Sequence, residues 1–174
     1  IKQQTGSNKV DVIAHSMGGL DTRYAAALLG YAGKVASLTT IATPHHGSPL
    51  ADLAVEHKQG SRRILDALRT IGLDIRGIID LTTHECEARN ARLEPLERGN
   101  GVVYRTYAGV ARFLPTFPPL KAGHLILKLR FGQPDNDGLV QVSKNKYPAF
   151  TTAGTCAVPH EEGPYTWTEG VGFH

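Results

Sequence analysis

No run of apolar residues in this 174-residue chain approaches the roughly 20 needed to cross a bilayer, so no transmembrane segment is expected. Lysine and arginine are scattered rather than gathered, and the net charge is only +3. A nucleic-acid surface concentrates its cations on one face or stripe, so nucleic acid is not expected as a partner. Cysteine occurs only at Cys86 and Cys156. Two thiols leave open one disulfide in an exported protein or two free buried groups, and the compartment stays open with them. No charged-then-apolar leader opens the chain, which starts at Ile1 instead of Met. A processed precursor or a piece of a longer protein would look like this, and the motif positions below favour the piece. Repeats, low-complexity tracts and linkers are missing too, so 1–174 reads as one partial domain. Apolar and charged fractions are ordinary for a globular chain with a core of its own.

What is present has the rhythm of strand, helix, strand. Lys9 to Ala14 is short, apolar and β-branched, and follows the turn-like Gly6-Ser7-Asn8, which predicts a buried strand. Leu20, Tyr24 and Leu28 then recur at helical spacing, with Gly30 as a stop. Val35 to Ala42 is a second strand, ended by Thr43-Pro44. Short joints in such a βαβ unit imply a parallel sheet. Residues 51–81 break the pattern: Ile64, Leu65, Leu68 and Ile71 form an amphipathic stripe interrupted by Gly60, Gly72 and Gly77. Thr82-x-x-Glu85 is a capping box opening a helix to about Leu93. Gly101 to Ala108 alternates as a strand, Pro134 to Gly138 is a turn, and Thr151 to Val158 is a candidate strand. The stretch Trp167 to Phe173 reads as a loop.

Ala14-His15-Ser16-Met17-Gly18-Gly19 falls at the joint between the first strand and its helix. A nucleophilic serine needs its Oγ lifted clear, so that a histidine reaches it from one side and substrate from the other. A sharp strand-to-helix turn does this, and its crowding calls for small residues two before and two after, here Ala14 and Gly18. The following helix points its N-terminus at the site, so the Met17 N–H is the expected oxyanion donor. A plain helix N-cap is the competing reading of Ser16.

Asp11 to Tyr24 resembles the elbow of microbial triacylglycerol lipases, and Val35 to Ser48, with its Thr43-Pro44-His45-His46-Gly47-Ser48 ending, resembles the strand and loop that follow it. These are features of the Pseudomonas and Burkholderia type and of related fungal enzymes; the Ala-His-Ser-Met-Gly variant also occurs in small Bacillus lipases. Asn136-Asp137-Gly138-Leu139-Val140 resembles the loop that carries the acid. The matches cover about residues 1 to 52, 82 to 109 and 132 to 160, in the family's order. The resemblance implies an α/β-hydrolase fold, a mostly parallel sheet with helices on both faces, whose N-terminal part is missing.

Triad order in that fold is serine, acid, histidine. Asp137 is the expected acid, with Asp135 its local competitor and a solvated turn aspartate the plain reading of either. Six histidines precede Asp137, which leaves His160 and His174. His160, 23 positions after Asp137 and just past a candidate strand, is the expected base. Against it, His160-Glu161-Glu162 departs from the His-x-Asp usual in these lipases, and Pro159 is unfamiliar. His45 and His46 have no partners at metal-ligand spacing, and Glu161 or Glu162 alone falls short of the six to eight oxygens that calcium takes; no metal and no cofactor are expected. The resemblance also implies that 51–81 supplies a lid or cap; simple packing of the interrupted helix, Ser61 to Ile79, on the sheet is the plain reading. The expected activity is carboxylic-ester hydrolysis, foremost of triacylglycerols at a lipid–water interface. A phospholipase, a short-chain esterase, a polyester depolymerase or a non-catalytic lipid-binding domain are the alternatives. The fold's second oxyanion donor precedes the elbow, which begins only 14 residues in, so these residues alone are expected to be inactive.

Overall fold

The computed structural model describes residues 2–56, 61–70, 72–111, 118–141, 156–158 and 165–171. After a single helical turn α1 (Lys2–Thr5) come β1 (Val10–His15), α2 (Met17–Ala27) and β2 (Val35–Ile41), the βαβ unit read from the sequence. The helices α3 (Pro49–Val55), α4 (Ser61–Thr70), α5 (Ile75–Asp80) and α6 (Thr83–Glu97) lead to β3 (Val103–Ala111), and α7 (Pro118–Phe131) precedes β4 (Cys156–Val158) and β5 (Tyr165–Val171).

The described sheet runs β1-β2-β3-β5-β4. β1, β2 and β3 are parallel neighbours, whereas β5 is antiparallel to both β3 and β4. β2, between β1 and β3, hides residues of both faces, as a strand flanked on both sides does. β1, expected to be buried, instead alternates half-buried and exposed residues, and Ile13 is 74% exposed. It stands at one end of the described sheet, as β4 does at the other. Of the stretch Trp167 to Phe173, expected to be a loop, residues 167–171 lie in β5, whose Tyr165, Thr166, Trp167, Thr168 and Val171 are strand formers.

The buried face of α2 also differs from its apolar spacing. Leu20, Arg23 and Ala26 are buried with Gly19, while Tyr24 is exposed. Arg23 wins the inward position because polar partners wait for it, described below. Thr82 caps α6, its Oγ1 accepting from the Glu85 N–H at 3.4 Å. That helix runs a turn beyond Leu93 and through Pro95 to Glu97. A proline inside a helix costs about 3 kcal/mol; here the final turn is held from outside, by the ion pair that buried Glu97 makes. Leu20, Ala51, Ala54, Leu68, Ile78, Leu81 and Cys86 form one apolar cluster, so α3, α4, α5 and α6 pack together over α2. Cys86 is a free thiol there, 3.5 Å from the Pro44 and Asp80 carbonyls, and burial raises its pKa.

Candidate active site

Ser16 stands between β1 and α2 with φ 52° and ψ −130°, a conformation that few non-glycine residues adopt. Three hydrogen bonds hold it there. Its N–H extends the β1–β2 ladder to the Ile41 carbonyl at 2.9 Å, and its carbonyl accepts from the Gly19 N–H at 3.1 Å and from Thr43 Oγ1 at 2.8 Å. The Ser16 hydroxyl makes no capping bond to the helix. The side chain that an ordinary N-cap would spend on α2 is therefore turned elsewhere.

The crowding expected at Gly18 falls one residue later. A Cβ at Gly18 would meet nothing within 4 Å, but one at Gly19 would lie 2.3 Å from Thr43 Oγ1 and 2.8 Å from Thr43 Cγ2. The close neighbour of this turn is thus the loop after β2. That loop begins at Ala42, the other non-glycine residue with positive φ among those described, whose N–H reaches the Tyr107 carbonyl at 2.8 Å. Both strained positions lie where parallel strands end at their carboxyl edge, where α/β sheets carry their sites.

The same loop reaches the acidic turn. Ser48 Oγ donates to the Leu139 carbonyl at 2.6 Å, and Leu139 and Met17 pack against the same apolar cluster. Within the turn, Asp137 Oδ1 accepts from the N–H groups of Leu139 and Val140 at 2.9 and 2.7 Å. Burial raises the Asp137 pKa to about 6, although those N–H groups pull the other way. Asp135, its competitor, is exposed. His160 and His174 lie outside the described residues, as do Glu161 and Glu162.

Beneath the elbow lies a polar network that sequence reasoning missed. Fully buried Arg23 grips Glu97 through two bonds, Nε to Oε1 at 2.9 Å and Nη2 to Oε2 at 3.0 Å. Its Nη1 donates to Asn90 Oδ1 at 2.9 Å and lies 3.1 Å from His45 Nδ1. A guanidinium only donates, so His45 Nδ1 accepts. The ring proton is then on Nε2, facing Thr40 Oγ1 at 2.9 Å, and Thr40 passes its own proton towards the Arg105 carbonyl at 3.3 Å. Desolvation first, then the Arg23 charge, hold the His45 pKa well below its usual value. Asn90 closes the circuit by donating to the His45 carbonyl at 2.8 Å. His46 turns outward to Glu87 at 2.8 Å. The adjacent histidines therefore serve a loop anchor and a surface pair. The one hint in the sequence was Arg23 on an otherwise apolar helix face.

Among the described residues, no three His, Cys, Asp or Glu side chains gather as a metal site, and no helix is long and apolar enough to cross a membrane.

Several known proteins are similar to this chain. Residues 1–59 match the family model of the PGAP1-like alpha/beta domain. A triacylglycerol lipase of Pseudarthrobacter phenanthrenivorans is 56% identical over 48 residues, 28% of this chain and 14% of that protein. A triacylglycerol lipase of Vibrio cholerae is 30% identical over 164 residues, covering 78% of this chain and 52% of the relative. The crystal structure of Bacillus licheniformis lipase BlEst2 in mature form superposes with a TM-score of 0.69 at 26% identity, over 84% of this chain and 56% of that one. The chain thus has, in part, an α/β-hydrolase fold. Within that class the chain is similar to microbial lipases, and it spans about half the length of the Vibrio and Bacillus proteins.

Proposed function

We propose that Ser16, Asp137 and His160 form the catalytic triad of a carboxylic-ester hydrolase whose foremost substrates are triacylglycerols. One observation carries the reading: a serine in a strained strand-to-helix turn, its hydroxyl not used to cap the helix. The relatives named triacylglycerol lipase supply the substrate class. Ser16 Oγ attacks the ester carbonyl while His160 takes its proton, and Asp137 steadies the resulting imidazolium. The Met17 N–H, at the first residue of α2, faces the oxyanion. His160 then protonates the leaving alcohol, and water cleaves the acyl-enzyme by the reverse proton route. Residues 51–81 act as a lid: exposed Ile75 and Ile79 on α5 offer an apolar surface to lipid, while Met17 Sδ sits 3.6 Å from where a Gly77 Cβ would be.

Ser16→Ala in the complete protein should abolish p-nitrophenyl ester hydrolysis while leaving the melting temperature unchanged. Activity above a few per cent would remove Ser16 from the chemistry. Tributyrin against emulsified triolein then separates a lipase, whose rate climbs when droplets form, from a short-chain esterase.

A further inference from the structure

The reading of Ser16 as nucleophile asks a great deal of the peptide that links it to Met17. That peptide is a rigid plane, with the Ser16 carbonyl and the Met17 N–H pointing in opposite directions. Whatever holds the carbonyl therefore aims the N–H. The carbonyl has two described partners, the Gly19 N–H at 3.1 Å and Thr43 Oγ1 at 2.8 Å. The first belongs to the helix itself and turns with it. The second comes from another strand's loop and fixes the plane relative to the sheet.

Thr43 is well placed to be a stiff anchor. Its side chain is fully buried, and β-branching restricts its χ1. Its own carbonyl accepts from the His45 N–H at 2.9 Å, and the His45 ring is locked between Arg23 and Thr40. Gly19 gives up its Cβ to leave Thr43 this position, since a methyl there would overlap both Oγ1 and Cγ2.

We infer that Thr43 is a positioning residue for the oxyanion donor: through its hydrogen bond to the Ser16 carbonyl it aims the Met17 N–H at the developing negative charge. This rests on the ester-hydrolase reading above. The interaction acts on a group that meets substrate most strongly in the transition state, so its loss lowers kcat more than it raises KM. Removing a whole oxyanion donor costs about 10²- to 10³-fold; misaiming one costs about 10-fold or more.

The test begins by labelling the complete protein with a p-nitrophenyl alkylphosphonate. Labelling of Ser16 leaves the underlying reading standing, and labelling elsewhere overturns that reading together with the inference. The same reagent then counts competent sites, so incomplete folding of a variant drops out of kcat. Thr43→Val should lose about 10-fold or more in kcat per titrated site with KM within about twofold. The inhibition constant of an alkylboronic acid, which forms a tetrahedral adduct on the serine, should rise by a similar factor. Thr43→Ser, which restores the hydroxyl, should recover most of the loss. Gly19→Ala should mimic Thr43→Val and add little in a Gly19→Ala/Thr43→Ala double variant, because both act on one contact. A Thr43→Val variant that melts earlier but keeps its kcat per site and its boronate affinity would make Thr43 a packing residue only and overturn the inference.

Discussion

Arg23 and Glu97 meet face to face in the interior, two parallel hydrogen bonds of 2.9 and 3.0 Å joining the middle of α2 to the last turn of α6. The pair ties the helix that carries Ser16 to a helix that sequence alone would have ended a turn earlier. Two charges out of water gain little over an apolar pair of the same shape, but one left behind is costly. Glu97→Ala should therefore lower stability by about 3–5 kcal/mol in urea denaturation. Arg23→Met combined with Glu97→Leu should cost clearly less than Glu97→Ala alone. Equal losses would mean that the charge stranded by Glu97→Ala is not what makes it costly, and that the bonds Arg23 gives Asn90 and His45 weigh as much.

His45 is the member of this network with a directly visible protonation state. Its Nδ1 faces a guanidinium, so the neutral ring carries its proton on Nε2. Nitrogen-15 chemical shifts of the ring should show that tautomer at pH 7 and little change on acidification to pH 5.5. The pKa is depressed relative to the unfolded chain. His45 thus contributes stability that is present above the unfolded value of 6.5 and is lost as pH falls below it. An imidazole that titrates normally would show that water reaches the network.

Periodicity revealed most of the scaffold, and the reasons for the failures are local. The βαβ unit, the Thr82 cap and the Asn136–Val140 turn each declare themselves within a few residues, through β-branching, a capping pair and turn chemistry. Arg23, Asn90 and Glu97 do not, because the reason for burying each is a partner up to 74 positions away. The strained turn at Ser16 was legible for the same reason as the scaffold: it is written in its immediate neighbours. The Thr43 contact was not, since the elbow motif names small residues without saying what they stand against.

The proposed base has a direct kinetic test. A general base must approach Ser16 Oγ within about 3 Å while its other nitrogen meets the acid. His160 and His174 are the two histidines after Asp137, and only one of them is able to fill that role. His160→Ala in the complete protein should cost about 10⁴-fold or more in kcat, on the scale of triad members, and His174→Ala should be mild. The opposite pattern would give the role to His174.

Asp137 connects that proposal to stability. Burial lifts its pKa from the ordinary 3.8 to about 6, so the native state favours the protonated carboxyl. A group raised in this way contributes stability that is complete below the unfolded pKa and is lost as pH climbs through the folded one. The loss should therefore fall between about pH 4 and pH 6, and be flat above about 7. At about 1.4 kcal/mol per unit it amounts to at most about 3 kcal/mol, less where solvent still reaches this half-buried side chain. Asp137→Asn keeps an oxygen for the Leu139 and Val140 N–H groups while removing the titration. Subtracting its urea-derived stabilities from those of the parent, pH by pH, isolates this slope, because the opposing contribution of His45 is common to both. In a His160→Ala background, no imidazole of that residue faces the carboxylate, and the slope should be steepest. With His160 in place, a neighbouring imidazolium stabilises the charged carboxylate and should shrink the slope. An identical slope in the two backgrounds would mean that Asp137 and His160 do not meet, and the triad would need another acid or another base.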